Sequence, residues 1–296
     1  MLDEEDELDE EDELDEEDEL DEEDELDEED ELDEEDSTME PLAYSDEGYN
    51  LTANPRALPE TTRNTICSRL YVEILRQTQD NDTDYVKENA SNHAVFKLIF
   101  QKPDGEFYGL RLEMTVEYDY GSKPEFIDGK FVQCKSGYLK ANPALASTAS
   151  GRSNWTCELS IRQGWTVDHI TGTLIQAGMH VFDFITQGDS YFGCRDFVSQ
   201  AIFLFRRQHF IESDDISVIL AGPKLPLSNI YDALGLHFTH SGEVKVRLID
   251  AGRFRYFPRA KLPEMPYKDS DRAAALGRIV EEVNNPRVDK VCGESV

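Results

Sequence analysis

The sequence predicts an α+β fold, a mainly antiparallel sheet with a few packed helices, and three observations support this expectation. Between residues 69 and 118, apolar and polar side chains alternate, which is the pattern of half-buried strands. The sequence Lys-Pro-Asp-Gly at 102–105 separates two of these segments and has the composition of a hairpin turn. Later segments instead repeat their apolar residues at helical spacing. Hairpin-forming strands combined with helices are typical of this fold class.

The expected strands are short segments that alternate or are continuously apolar between polar turns. In the return strand of the first hairpin, Leu110, Leu112, Met114 and Val116 all lie on one face. Residues 141–153 are small and polar and predict a loop. The expected strands are RLYVEIL (69–75), HAVFKLIFQ (93–101), GLRLEMTVEY (109–118), KFVQCKSGYL (130–139), CELSIRQ (157–163) and MHVFDFI (179–185).

The expected helices are marked by capping residues and by apolar faces. Thr166 is a residue type preferred at an N-cap, and Gly178 can end the helix that Thr166 begins. The next helix would bury Phe197, Ala201, Leu204 and Phe205. Further along the chain we expect a short helix at NIYDALG (229–235), a hairpin within 237–257 and an amphipathic helix at 271–283.

The charge of the chain is unevenly distributed. The 296 residues include 63 acids and 29 bases, for a net charge of −34. Residues 1–36 hold 29 of the acids and no base, which leaves 34 acids against 29 bases in the remainder. That nearly balanced remainder is large enough to bury a core. We therefore expect an acidic tail (1–38), a linker (39–64), a single α+β domain (65–285) and a loose C-terminus (286–296).

The tail repeats the hexapeptide ELDEED, with a leucine at every sixth residue. On a helix this spacing distributes the leucines around three sides, so no stripe is available for packing. The like charges also oppose compaction, and we expect a disordered segment or a lone solvated helix. Two interpretations remain open: an expanded repeat without function, or a surface for basic protein partners. Nucleic acid is not expected as a partner, because the tail repels phosphate.

Several classes of protein are excluded by what the sequence lacks. No segment approaches the roughly 18 apolar residues of a membrane span, and the N-terminus has no secretory signal. Five scattered cysteines predict reduced thiols in the cytoplasm or nucleus, with no membrane association. The sequence contains no glycine-rich phosphate-binding motif, so we do not expect a nucleotide cofactor. His237 and His240 have a metal-like spacing but no recognisable third ligand, so we expect an exposed turn and no metal.

A basic and aromatic segment, RFRYFPRAK, lies at 253–261. Basic residues between aromatics suit an anionic partner. Alternation along a strand with a solvated face produces the same pattern, and we favour that interpretation.

Cys194 is the residue most suited to chemistry. It lies in the first turn of an expected helix, directly after Gly193. Unpaired backbone N–H groups and the positive end of the helix dipole favour a thiolate at that position, and the same groups can hold an oxyanion. A thiolate nucleophile also needs a base, and His93 begins a strand that an antiparallel sheet could place beside the helix.

The sequence Asn92-His93-Ala94 and the later Gly193-Cys194-Arg195-Asp196-Phe197-Val198 resemble a pattern of the circularly permuted papain-like group. That group includes the lecithin:retinol acyltransferase-like proteins and the permuted deubiquitinating-type peptidases. Its pattern is a strand-borne His-aromatic pair followed by Asn-Cys-x-x-Phe-Val. Here Ala94 replaces the aromatic residue and Gly193 replaces the Asn. Residues 65–250 more closely resemble an uncharacterised fungal domain family with a Gly-Cys-Arg element.

The resemblance implies a thiol-dependent hydrolase or acyl transferase of permuted papain-like fold, acting on an amide, isopeptide or ester. Cys194 would be the nucleophile and His93 the proton acceptor. No motif fixes a third residue; Glu113, on the outward face of the return strand and within reach of His93, is our choice, although an Asn or Gln could serve. The Arg195 guanidinium would bind an anionic group or pair with Asp183 or Asp196. The alternative function is a non-catalytic interaction domain on the same scaffold.

Overall fold

We describe the fold from a computed structural model. It describes residues 48–77, 83, 92–119, 121–127, 129–187, 190–239, 241–260, 266 and 272–284. The acidic tail and the C-terminal segment from 286, predicted as disordered or loose, lie outside these residues.

The described residues form one large sheet, a two-stranded hairpin and five helices. The large sheet has 11 strands, and every pair of neighbours is antiparallel. Its central order is β10-β7-β2-β3-β4-β6-β8-β13; β1 and β5 pair with β6, and β9 pairs with β8. The strands are β1 (Tyr49–Asn50), β2 (Cys67–Arg76), β3 (Asn92–Asp104), β4 (Phe107–Val116), β5 (Lys123–Ile127), β6 (Lys130–Ala144), β7 (Ser153–Ile161), β8 (Phe182–Gln187), β9 (Ser190–Phe192), β10 (Ile211–Ala221), β11 (Leu236–Phe238), β12 (Val244–Val246) and β13 (Arg253–Phe254).

Capping residues mark the two ends of the second helix. Thr166 caps the second helix by accepting a hydrogen bond from the backbone N–H of His169, and Gly178 adopts a φ of +75° just past its end. The helices are α1 (Glu60–Asn64), α2 (Val167–Gln176), α3 (Cys194–Arg207), α4 (Ile230–Leu234) and α5 (Arg272–Asn284). The predicted α+β class and mainly antiparallel sheet are confirmed.

The two faces of the central strands have different environments. Alternate residues such as Phe96 and Leu112 are directly paired across β3 and β4 and enter the core. Helix α3 packs on this face, where the rings of Phe96 and Phe205 lie 5.7 Å apart. The opposite face carries the polar side chains of His93, Lys97 and Glu113 among apolar ones such as that of Val95. The Lys97 ammonium, for example, donates to the carbonyl of Thr148 at 2.6 Å, in the loop between β6 and β7.

The structure departs from the predicted elements at several points. Strand β3 continues to Asp104, so that the hairpin turns at 105–106, and β6 continues to Ala144 into the predicted loop. Strands β9 and β10 were not predicted. The segment 48–64, predicted as linker, instead forms β1 and α1 and buries Leu51 and Leu58, because its few apolar residues pack onto the core.

None of the helices in the described ranges has the length and apolarity that a membrane span needs.

Candidate active site

His93 and Glu113 meet on the polar face of the sheet. His93 is the second residue of β3, and Glu113 lies on the neighbouring strand β4. The ladder between β3 and β4 ends at the pair Phe96 and Leu112, and His93 and Glu113 lie just beyond that end. The imidazole Nε2 lies 3.2 Å from the Glu113 Oε2, and the two side chains are only 13% and 12% exposed. The carboxylate can therefore fix the orientation of the ring.

Glu113 is held as a carboxylate by several donors. The Asn142 side chain donates to its Oε1 at 2.6 Å, and Arg111 donates to the same oxygen at 3.3 Å. Burial raises the pKa of this carboxyl, but the hydrogen bond and charge of His93, with the charges of Arg111 and Lys140, lower it to about 2. Glu113 is thus ionised throughout the physiological pH range.

Cys194 is brought to the same place by the start of helix α3. The preceding Gly193 has a φ of +132°, and a Cβ on it would lie 2.8 Å from Phe182 Cζ and 3.1 Å from the Cα of Gly252. Only glycine allows this turn, which brings the thiol to the cavity that His93 and Glu113 also line. Nε2 of the His93 ring faces Glu113, and the thiol is close enough to the ring for each of the two groups to shift the pKa of the other.

The Cys194 thiol and the His93 imidazole stabilise each other's charged forms. Burial raises the pKa of the thiol, but the hydrogen bond and charge of His93 act more strongly, and the pKa falls from 9.0 to about 7. Burial lowers the pKa of His93, while Cys194 and Glu113 together raise it from 6.5 to about 10. Each group therefore favours the charged form of the other, which stabilises a thiolate and imidazolium pair.

The other described cysteines are ordinary buried thiols. Burial raises the pKa of Cys67 to about 12, and it also raises the pKa values of Cys134 and Cys157. Cys194 alone among the four described cysteines is partly exposed, and it alone has a lowered pKa. This contrast is the expected one between a reactive thiol and structural thiols.

A cavity of about 510 Å³ gives access to the pair. Cys194, His93 and Glu113 all line it. The volume lies within the range of small-molecule sites.

Asn92 and Arg195 join the strand that carries His93 to the helix that carries Cys194. The Asn92 side chain donates to the carbonyl of Phe238 at 3.0 Å and accepts from its N–H at 2.8 Å. Arg195 donates to the Asn92 Oδ1 at 3.5 Å and to the carbonyl of Leu234 at 2.8 Å. These contacts fix the relative position of the nucleophile and the base.

The predicted pairing of Arg195 with Asp183 or Asp196 is wrong. Arg255 binds Asp183 with two hydrogen bonds, at 2.7 and 2.9 Å, and Arg259 binds Asp196 at 3.0 Å. The basic segment at 253–261 thus does not present a simple solvated face, because Arg255 and Arg259 bond to buried carboxylates.

The predicted exposed histidine turn also needs correction. His237 lies in β11 and is buried, while His240 lies outside the described residues. Among the residues that the structure describes, no three His, Cys, Asp or Glu side chains are arranged to hold a metal ion.

Sequence reasoning missed Asn142, because residues 141–153 were predicted as loop. The buried Leu139 and Ala141 are two residues apart, and this alternation was a signal that the strand continues and turns Asn142 to the face of Glu113. The role of Asn92 could not be foreseen, because its partner Phe238 is 146 residues away.

A family model described as a domain of unknown function (DUF7770) matches residues 72–255. The chain belongs to this family. The expectation of an uncharacterised domain family is thereby confirmed. The DUF7770 match includes His93, Glu113 and Cys194. No curated protein sequence and no solved structure matches the chain.

Proposed function

We propose that this DUF7770 protein is a thiol-dependent hydrolase or acyl transferase, with Cys194 as its nucleophile and His93 as its proton carrier. The observation that supports the proposal best is that Cys194, His93 and Glu113 line one cavity, with the His93 imidazole bound to the Glu113 carboxylate. A nucleophile, a base and a residue that orients the base, arranged in this order, are what covalent acyl transfer requires.

The reaction would proceed through a thioester. The Cys194 thiolate attacks a carbonyl carbon, a C–S bond forms, and the carbonyl electron pair moves to oxygen. When the carbonyl re-forms, the bond to the leaving nitrogen or oxygen breaks, and the leaving atom takes the proton of the His93 imidazolium. Water or an acceptor alcohol or amine then attacks the thioester, His93 takes the proton of the attacking group, and the thiolate leaves.

The start of helix α3 would stabilise the oxyanion. The first N–H groups of a helix have no carbonyl partner within the helix. Gly193, at the N-cap, has no side chain with which to cap them. The N–H of Cys194 is therefore suited to donate to the oxygen that becomes negative during attack.

The fold is compatible with a permuted papain-like relation. In this chain the strand of His93 precedes the helix of Cys194, and the helix packs against that strand within an antiparallel sheet. This is the chain order of the permuted group that the sequence resembles. Glu113 would take the position of the residue that orients the histidine.

The test is covalent acylation by a p-nitrophenyl ester, followed by intact mass and peptide mapping. We expect one acyl group on Cys194, formed rapidly and then lost by hydrolysis. His93→Ala should slow acylation by about 10²-fold or more, because the proton carrier and the imidazolium are both lost. Cys194→Ala should abolish acylation.

Cys134→Ala is the matched control, because Cys134 is buried in β6 away from the cavity. It should acylate as the wild type does. If the folded wild type carries no acyl group on Cys194, or if His93→Ala acylates at the same rate, the enzyme proposal is wrong and the domain is better treated as a binding module.

A further inference from the structure

The wall of the Cys194 cavity is strongly basic. Five arginines are among the residues that line it, Arg76, Arg111, Arg152, Arg195 and Arg247. The carboxylates in the same lining are those of Glu113 and Asp250. Outside the acidic tail the chain has slightly more acids than bases. The cavity lining, with more arginines than carboxylates, therefore has the opposite sign of charge from the rest of the domain.

Arg195 is the most unusual of these arginines. Its side chain is buried, with 6% of the residue exposed, and it follows Cys194 directly. Its guanidinium donates to the carbonyls of Leu234 and Arg247 and to Asn92. Among the described residues, no carboxylate forms an ion pair with it. Burial and the charge of Arg247 disfavour the charged guanidinium more than the charges of Cys194 and Asp250 favour it, and the pKa of Arg195 falls to about 10.

Arg247 provides a second cation close by. Arg195 Nη1 lies 3.4 Å from the Arg247 carbonyl, and the Arg247 guanidinium lies 5.8 Å from the centre of the Phe192 ring, which also lines the cavity. Two guanidinium groups that repel each other beside one cavity would both be stabilised by an oxyanion between them.

We propose that the substrate of Cys194 carries an anionic group, a carboxylate or a phosphate, which Arg195 and Arg247 hold beside the sulfur. This inference rests on the proposed function and adds the substrate class to it. The size of the cavity favours a small molecule. Planar guanidinium groups can bind either type of oxyanion with paired hydrogen bonds.

The test compares alkylation of Cys194 in the full chain by iodoacetate, which is an anion, and by iodoacetamide, its neutral isostere. In both reactions the sulfur displaces iodide. We expect the ratio of the iodoacetate rate to the iodoacetamide rate to be about tenfold higher in the folded protein than at Cys194 of the denatured protein. Arg247→Gln should lower this ratio about threefold or more, with little change in the iodoacetamide rate.

Arg162→Gln is the matched control. Arg162 is exposed and does not line the cavity, and its replacement changes the net charge by the same amount as Arg247→Gln. Its ratio should equal that of the wild type. Protection against iodoacetamide distinguishes the two ligands: stronger protection by inorganic phosphate than by acetate indicates a phosphate site, and the reverse indicates a carboxylate site.

The outcomes separate this inference from the proposed function. If Cys194 reacts readily with iodoacetamide but the ratio matches that of the denatured protein, or Arg247→Gln leaves the ratio unchanged, the anionic substrate is ruled out and the nucleophile stands. If Cys194 in the folded chain reacts with neither reagent, both proposals fail.

Discussion

Glu113 illustrates how a single carboxylate is fixed by its neighbours. Its folded pKa of about 2 lies below the ordinary value of 4.5, so the group contributes stability above pH 4.5 that is lost as the pH falls through about 2. Its partners His93, Asn142 and Arg111 come from three different strands. The carboxylate therefore links β3, β4 and β6 in addition to orienting the imidazole.

We expect Glu113→Gln to lower the free energy of unfolding at pH 7 by about 3 kcal/mol at most, and the difference from the wild type to shrink as the pH is lowered from 4.5 towards 2. Urea unfolding at several pH values measures this. Glu106→Gln, at the exposed hairpin turn, is the control and should show no such dependence. An equal loss of stability at every pH would contradict an ionised, charge-stabilised Glu113.

At the scale of elements, the position of helix α3 depends on Gly193. We expect Gly193→Ala to destabilise the fold by about 2 kcal/mol or more, because the positive φ is strained for alanine and the new Cβ would press on Phe182. Gly172→Ala, within helix α2 and with room for a Cβ, should instead stabilise by about 0.5–1 kcal/mol. Thermal unfolding of both variants measures the difference.

A Gly193→Ala variant that unfolds like the wild type would show that the turn before Cys194 does not need glycine. In that case the thiol would not be positioned as described.

The elements that could be predicted are those whose signal is local. Strands β2 to β4 alternate because one face meets the core, and α2 carries its own N-cap in Thr166. Strand β10 is an edge strand with acidic residues and exposed Val218 and Leu220, so its alternation does not separate a buried from a solvated face. Its pairing with β7 depends on contacts distant in sequence, which local patterns do not contain.

The same distinction applies to the site. Cys194, His93 and Glu113 could be selected from residue type and position. In the structure all three line one cavity, and their catalytic roles are our proposal. The partners of Arg195 could not be predicted, because the carbonyls that bind it depend on how α4 and the residue after β12 approach helix α3.

At the scale of the whole molecule, arginines bonded to buried carboxylates attach the segment 250–260 to the site. Asp196, in the first turn of α3, is buried and accepts hydrogen bonds from Arg259 and from the N–H of Gly252. Asp183 on β8 similarly binds Arg255. These contacts close the chain over the start of the helix that carries Cys194.

We expect Arg259→Gln to destabilise the fold by about 2 kcal/mol, because it removes the guanidinium that is bonded to the buried Asp196 carboxylate. Arg206→Gln breaks a surface pair with Asp214 and should cost less than about 1 kcal/mol. Urea unfolding of the two variants gives the comparison, and equal small effects would show that the pair with Asp196 does not hold the segment in place.

In the proposed mechanism, His93 converts Cys194 into a thiolate near neutral pH. The pH dependence of Cys194 alkylation by iodoacetamide measures this conversion. Peptide mapping after brief reaction should show Cys194 as the fastest cysteine of the folded chain, with its rate rising through an apparent pKa of about 7. His93→Ala should move that midpoint upward and slow the reaction at neutral pH, because the imidazolium is lost. If Cys194 is the slowest thiol, or if its midpoint lies near the ordinary value of 9.0 and does not respond to His93→Ala, His93 does not activate Cys194.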